Sequence, residues 1–206
     1  MAAEDRPQLY LITPPAPDMA VFPDLLGAVL DAAEIACIRL ALAGSDEDAL
    51  GRAADGLRAV AHERDVAVVI EAHVGLAERH GLDGVHLPGG AKSVRDARKV
   101  LGPDAIVGAF CGTSRHDGMN AGEAGADYVA FGPVGALALG SALPADRDLF
   151  AWWSEMIEVP VVAEGGLTDA LVMDYAAITD FFGIGAEIWS AEDPVATLKK
   201  LIAPLG

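Results

Sequence analysis

The stretch VAVVIEAHVGLAERHGLDGVHL (Val66–Leu87) decides the fold. It opens on an apolar, β-branched run, Val66–Ala72, passes through a short amphipathic segment, Val74–Gly81, and returns to a second apolar run, Gly84–Leu87. Two buried strands flanking a helix-length segment make a β–α–β unit, whose strands run parallel and are covered on both faces. The same alternation extends both ways. Leu9–Thr13 and Ile35–Ala41 precede it; Ile106–Phe110, Tyr128–Phe131, Pro160–Ala163 and Phe181–Gly185 follow. Eight strand segments in 206 residues match a closed, single-domain (β/α)8 TIM barrel of minimal size. The rival, a doubly wound open sheet, usually has fewer strands and a switch point. No linker or low-complexity tract divides residues 1–206, which read as one domain.

Helix starts carry physical signals. Ser45 before Asp46, Glu47 and Asp48 resembles a capping box, and Leu50, Ala53, Ala54, Leu57, Val60 and Ala61 follow at helical spacing. Thr168 is placed to cap a helix reaching about Tyr175, and Asp193-Pro194 reads as an N-cap followed by an N1 proline. The helix after strand six is expected to begin near Asp146.

Composition excludes several functions. Fourteen Lys and Arg against 31 Asp and Glu leave a formal charge of −17, which repels a nucleic-acid backbone. Two cysteines, Cys37 and Cys111, both in apolar runs, provide neither a disulfide framework nor a cysteine zinc site, and fit a reducing cytoplasm. The first residues, MAAEDRPQ, lack a signal peptide's basic and apolar regions. Tyr128–Ala145 is uncharged over 18 residues, but Gly132, Pro133, Gly135, Gly140 and Pro144 break it, so it reads as a strand and loop, not a membrane span.

Strand alternation assigns the barrel interior. If Ile38, Leu40, Val68, Ile70, Val85, Leu87, Val161 and Ala163 face the helices, then Cys37, Arg39, Val69, Glu71, His73, His86, Val162 and Glu164 face inward. Arg39, Glu71, His73, His86 and Glu164 thus converge at the carboxyl ends of the strands, where barrel enzymes place their chemistry. They read equally as an active site or as a self-satisfied polar plug. Gly165-Gly166 after strand seven and Gly185-Ala186 after strand eight sit where barrels bring backbone N–H groups to a phosphate. GVHLPGGAKS (Gly84–Ser93) is not a P-loop, Gly183-x-Gly185 is not a dinucleotide fingerprint, and Cys111 reads as structural. His62, His80 and His116 are assigned to the surface.

Several blocks together resemble the thiamine phosphate synthase and thiazole tautomerase family: LYLITPP (Leu9–Pro15), GLDGVHL (Gly81–Leu87), GAF (Gly108–Phe110), AGADYVAFGPV (Ala124–Val134), VPVVAEGGLT (Val159–Thr168) and AEIWSAEDP (Ala186–Pro194). The resemblance implies a homo-oligomeric barrel that joins hydroxymethylpyrimidine pyrophosphate to a thiazole phosphate with magnesium. It places that phosphate, a small phosphorylated metabolite, on Gly165, Gly166, Gly185 and Ala186. Other positions depart from the family's pattern. Only Arg39 remains of a Gln-x-Arg-x-Lys stretch, and Glu71-Ala72-His73 stands where an Asn-Asp pair begins. Pro88-Gly89-Gly90-Ala91 replaces Gly-Gln-x-Asp, Gly135–Ser141 carries no cation, and Gly112 stands near the tautomerase's histidine. Three functions follow: a thiamine-biosynthetic transferase, a different metal or acid–base enzyme built on Glu71, His73, His86 and Glu164, or a non-catalytic binder of a phosphorylated metabolite. The metal is left open.

Overall fold

The apolar runs pair in parallel and in chain order, and the last pairs with the first. The computed structural model describes residues 6–136 and 143–206. The strands are β1 (Gln8–Ile12), β2 (Ile35–Leu40), β3 (Ala67–Glu71), β4 (Gly84–Leu87), β5 (Ile106–Phe110), β6 (Tyr128–Phe131), β7 (Val161–Glu164) and β8 (Phe181–Ile184). Between them run α1 (Phe22–Leu30), α2 (Glu47–His62), α3 (Val74–Arg79), α4 (Val94–Leu101), α5 (Arg115–Glu123), α6 (Arg147–Met156) and α7 (Asp169–Tyr175). After β8 come the short α8 (Ala186–Trp189) and α9 (Pro194–Ile202). This is a closed (β/α)8 barrel. Part of the uncharged loop after β6, residues 137–142, lies outside the described residues.

Alternation along each strand separates two cores. Leu9, Leu11, Ile38, Leu40, Val68, Ile70, Val85, Leu87, Val161 and Ala163 are buried between sheet and helices. Tyr10, Cys37, Val69, Tyr128, Ala130 and Val162 pack together inside the barrel. At the amino ends of the strands one device occurs three times. Asp83, Asp127 and Asp180, each just before an even strand, accept from the backbone N–H of Val68, Val107 and Val161 on the preceding odd strand, at 2.7, 2.6 and 2.7 Å. Each carboxylate satisfies an amide at a strand start and fixes register.

Helix caps follow the sequence closely. Thr168 caps α7, Asp146 caps α6, and Asp193 caps α9 ahead of Pro194. At α2 the capping side chain is Asp46 instead of Ser45, accepting from Asp48 and Ala49 N–H. Trp153 of α6 is fully buried. No helix among the described residues is long and apolar enough to cross a membrane.

Gly108 is a tightly packed interior position. A Cβ there would come within 1.9 Å of Cζ of Tyr128, so the absent side chain leaves the volume that the tyrosine ring fills. Gly108→Ala is therefore expected to destabilise the barrel by about 2 kcal/mol or more in urea unfolding, as overpacking of a closed core does. An unchanged midpoint would contradict this packing.

Candidate active site

With Ile38 and Leu40 turned to the helices, Arg39 projects from β2 into the barrel. Its Nη1 and Nη2 donate to Oε2 and Oε1 of Glu164, at the end of β7, at 3.0 and 3.1 Å. Nη1 also donates to Nε2 of His86, on β4, at 2.7 Å. The other ring nitrogen, Nδ1, lies 2.9 Å from the Tyr128 hydroxyl, which lies 2.6 Å from that of Tyr10. Because a guanidinium only donates, Nε2 of His86 must accept, so the ring proton resides on Nδ1 and is donated to Tyr128. Two residues at adjacent carboxyl ends, Arg39 and Glu71, complete the group: Arg39 Nε is 3.4 Å from Oε2 of Glu71. That Nε is buried and makes no hydrogen bond. The Glu71 side chain is 35% exposed against 7% for Arg39, so Glu71 is the carboxylate open to the mouth.

Burial fixes the charge states. Desolvation, and secondarily the Arg39 charge, hold the His86 imidazole well below its ordinary value of 6.5, so it is neutral near pH 7. The unfolded chain then takes up a proton as pH falls through about 6.5 while the folded chain does not, so this histidine withdraws stability on acidification. Burial opposes the Arg39 charge, but the Glu164 carboxylate outweighs it and raises the guanidinium's proton affinity. Tyr10 and Tyr128 are raised, mainly by burial, and stay protonated.

His73 does not join this group. The strand ends at Glu71, and Ala72 takes a left-handed conformation with φ of 65°, which turns the chain outward. His73 becomes the N-cap residue of α3 and makes no hydrogen bond or ion pair with Arg39, Glu71, His86 or Glu164. His116 is exposed on α5 and pairs with Asn120, 3.1 Å away. His80, assigned to the surface, is half-buried against Asp55. Burial pushes the Cys111 thiol up to about 12, with Asp117 adding to the shift, so it is no nucleophile at neutral pH.

The glycine pairs after β7 and β8 converge on a group that sequence reasoning missed. Gly165 and Gly166, at φ of 84° and 73°, turn the backbone so that the Gly166 and Leu167 N–H groups donate to Oε1 of Glu187 at 2.9 and 3.1 Å. Gly185 N–H donates to Oε2 at 2.8 Å. Gly165 instead presents its carbonyl to the Val134 and Gly135 N–H groups, and Ala186 is exposed at the start of α8. On the same face, a cleft between the β4 and β5 loops is lined by Pro88–Lys92 and Phe110–Ser114.

A family model described as thiamine monophosphate synthase matches residues 9–181. The chain belongs to that family. A thiamine-phosphate synthase of Rhodospirillum centenum is 43% identical over 187 residues, covering 89% of each chain. One from Erythrobacter litoralis is 38% identical over 203 residues, covering 95% of each. Among solved structures, thiamine phosphate pyrophosphorylase from Pyrococcus furiosus shares the fold at a TM-score of 0.80 and 22% identity, covering 96% of this chain and 95% of that one.

Magnesium, which membership of the thiamine monophosphate synthase family implies, is held characteristically by one or two carboxylates together with substrate phosphates, and Glu71 is a carboxylate open to the mouth that could serve as one of them. Among the described residues no three His, Cys, Asp or Glu side chains group as metal ligands. Both Glu164 oxygens and both His86 nitrogens are engaged in hydrogen bonds. The histidine–carboxylate metal site, one of the readings that alternation left open, is not assembled by Glu71, His73, His86 and Glu164. The missed members, Tyr10 and Tyr128, carry the same alternation signal in β1 and β6, and Gly108 beside Tyr128 marks the space for its ring.

The pairing of Arg39 with Glu164 sets a sharp expectation. Arg39→Met strands a buried carboxylate and is expected to cost about 3–5 kcal/mol, whereas Arg39→Met with Glu164→Leu recovers most of the loss. Urea unfolding of both variants measures this; equal losses would mean that the two charges do not depend on one another.

Proposed function

We propose that the chain is a transferase of thiamine biosynthesis, joining a pyrimidine that carries a pyrophosphate leaving group to a thiazole at the carboxyl mouth of the barrel. The observation that carries this reading is Arg39. It is the surviving member of the family's cationic stretch, and it is held on the barrel axis between Glu164, His86 and Glu71. In the reaction a bond forms to the pyrimidine's methylene carbon while its bond to pyrophosphate breaks, the electron pair leaving with the pyrophosphate.

Each residue has a defined part. Glu164 and His86 hold the guanidinium in one orientation, with its buried Nε–H directed toward Glu71, 3.4 Å away. Glu71 adds a second carboxylate, so Arg39, Glu71 and Glu164 together carry one net negative charge. Fixed negative charge favours positive charge developing on the carbon that loses pyrophosphate. The pyrophosphate end is directed away from these two carboxylates, into the cleft bearing Lys92, the Gly89, Gly90 and Gly112 backbone and, at its α5 side, Asp117. The proton on Nδ1 of His86 stays in the Tyr128 bond, so His86 acts as a positioning residue. No step is assigned to a metal.

A second reading, binding of a related metabolite without turnover, is favoured by the closed Arg39–Glu164 pair, which satisfies both charges without a ligand. One assay separates the two. The protein is incubated with the pyrimidine pyrophosphate, magnesium salt, and a thiazole ending either in phosphate or in a free hydroxyl, and pyrophosphate release is followed with the coupled product. Turnover with at least one acceptor is expected, and Arg39→Ala is expected to reduce it about a hundredfold, the equivalent of about 2.7 kcal/mol. No product with either acceptor overturns the transferase reading; a rise in Tm with added substrate but no product supports binding alone.

A further inference from the structure

The odd-numbered strands form the floor of the mouth. β1, β3, β5 and β7 end at Ile12, Glu71, Phe110 and Glu164, so apolar and acidic side chains alternate around the ring. Glu71 and Glu164 turn to Arg39, whereas Ile12 and Phe110 pack on the cluster inside the barrel. Phe110 is half-buried there, and the register of β5 with β6 sets it beside the small Ala130. The other aromatic rings of this cluster are placed differently: Tyr10 and Tyr128 are buried, and Phe181 begins β8 at the opposite end. Phe110 is therefore the aromatic ring that the cluster presents to the mouth. It also lines the cleft between the β4 and β5 loops, which encloses about 670 Å³, a volume that suits a small molecule.

We propose that Phe110 seats the pyrimidine ring of the substrate: the ring lies against its side chain at the junction of mouth and cleft, with the pyrophosphate in the cleft and the methylene carbon toward the barrel axis. Two aromatic rings in offset or edge-to-face contact gain more than the apolar area they bury. A carbon that becomes positive as pyrophosphate departs is also attracted to the face of a phenyl ring. Specificity follows from the same wall. It accepts a flat, neutral ring and offers no hydrogen-bonding group to a polyhydroxylated carrier of pyrophosphate. The assignment rests on the transferase reading for the identity of the ring, but not for the apolar wall itself.

Two measurements keep these parts distinguishable. The first needs no turnover. The pyrimidine pyrophosphate is added without thiazole, contacts between its ring hydrogens and those of Phe110 are sought by NMR, and Kd is read from the same titration. Wild type is expected to show the contact, and Phe110→Leu to bind about tenfold more weakly. Binding without that contact, or no binding at all, would overturn the proposal without recourse to any variant. An equal Kd in folded Phe110→Leu would overturn it too, leaving Phe110 as a cap on the inner core. The second measurement is transfer to the thiazole. Phe110→Leu is expected to lower kcat/KM about thirtyfold, mostly in kcat, and Phe110→Tyr, which keeps the ring, by no more than about fivefold. Equal losses in the two variants would overturn the role of the aromatic face. Contact with Phe110 but no turnover removes the transferase reading and leaves the seat as a binding site; turnover without the contact removes the seat and leaves that reading intact.

Discussion

A single ion pair organises the mouth of this barrel. Arg39 and Glu164 approach from β2 and β7 and meet in a bidentate contact, with side chains 7% and 11% exposed. Burying two charges is costly, and the cost is offset only when geometry is good and the remaining hydrogen-bonding groups are satisfied. His86 meets part of that demand by accepting from the guanidinium, which it can do only as a neutral ring with its proton on Nδ1. Tyr128 then receives that proton's hydrogen bond, and Gly108 leaves room for the tyrosine. One charge pair thereby constrains residues on β2, β4, β5, β6 and β7.

The same physical theme recurs at the β7 and β8 loops, where a carboxylate from the chain itself satisfies donors directed at an anion. In both places an acidic side chain meets donors in a protein that already carries a formal charge of −17. The consequence is a mouth with its cation neutralised and its amide cradle filled.

Most of the scaffold was legible in the chain because it rests on local rules. Period-two burial separates the Ile38 and Leu40 side from the Cys37 and Arg39 side, and the capping residues Thr168, Asp146 and Asp193 stand where helices begin. Arg39, Glu71, His86 and Glu164 followed from that alternation. His73 did not, since a left-handed turn at Ala72 ends the pattern, and an alanine gives no sign of positive φ. Glu187 was hidden for a different reason. Its partners lie 20 and 21 residues earlier in sequence, at Leu167 and Gly166, and only the parallel pairing of β7 with β8 brings the two loops together. The glycines revealed where amides would gather, but not which anion would fill them.

The most direct test of this organisation is the protonation state of His86, read from its imidazole nitrogen resonances between pH 5 and pH 8. A neutral ring protonated on Nδ1 throughout that range is the result required by an arginine donor on one side and a tyrosine acceptor on the other. A ring that titrates near its ordinary value of 6.5, or carries its proton on Nε2, would contradict it, because neither state can accept from Arg39.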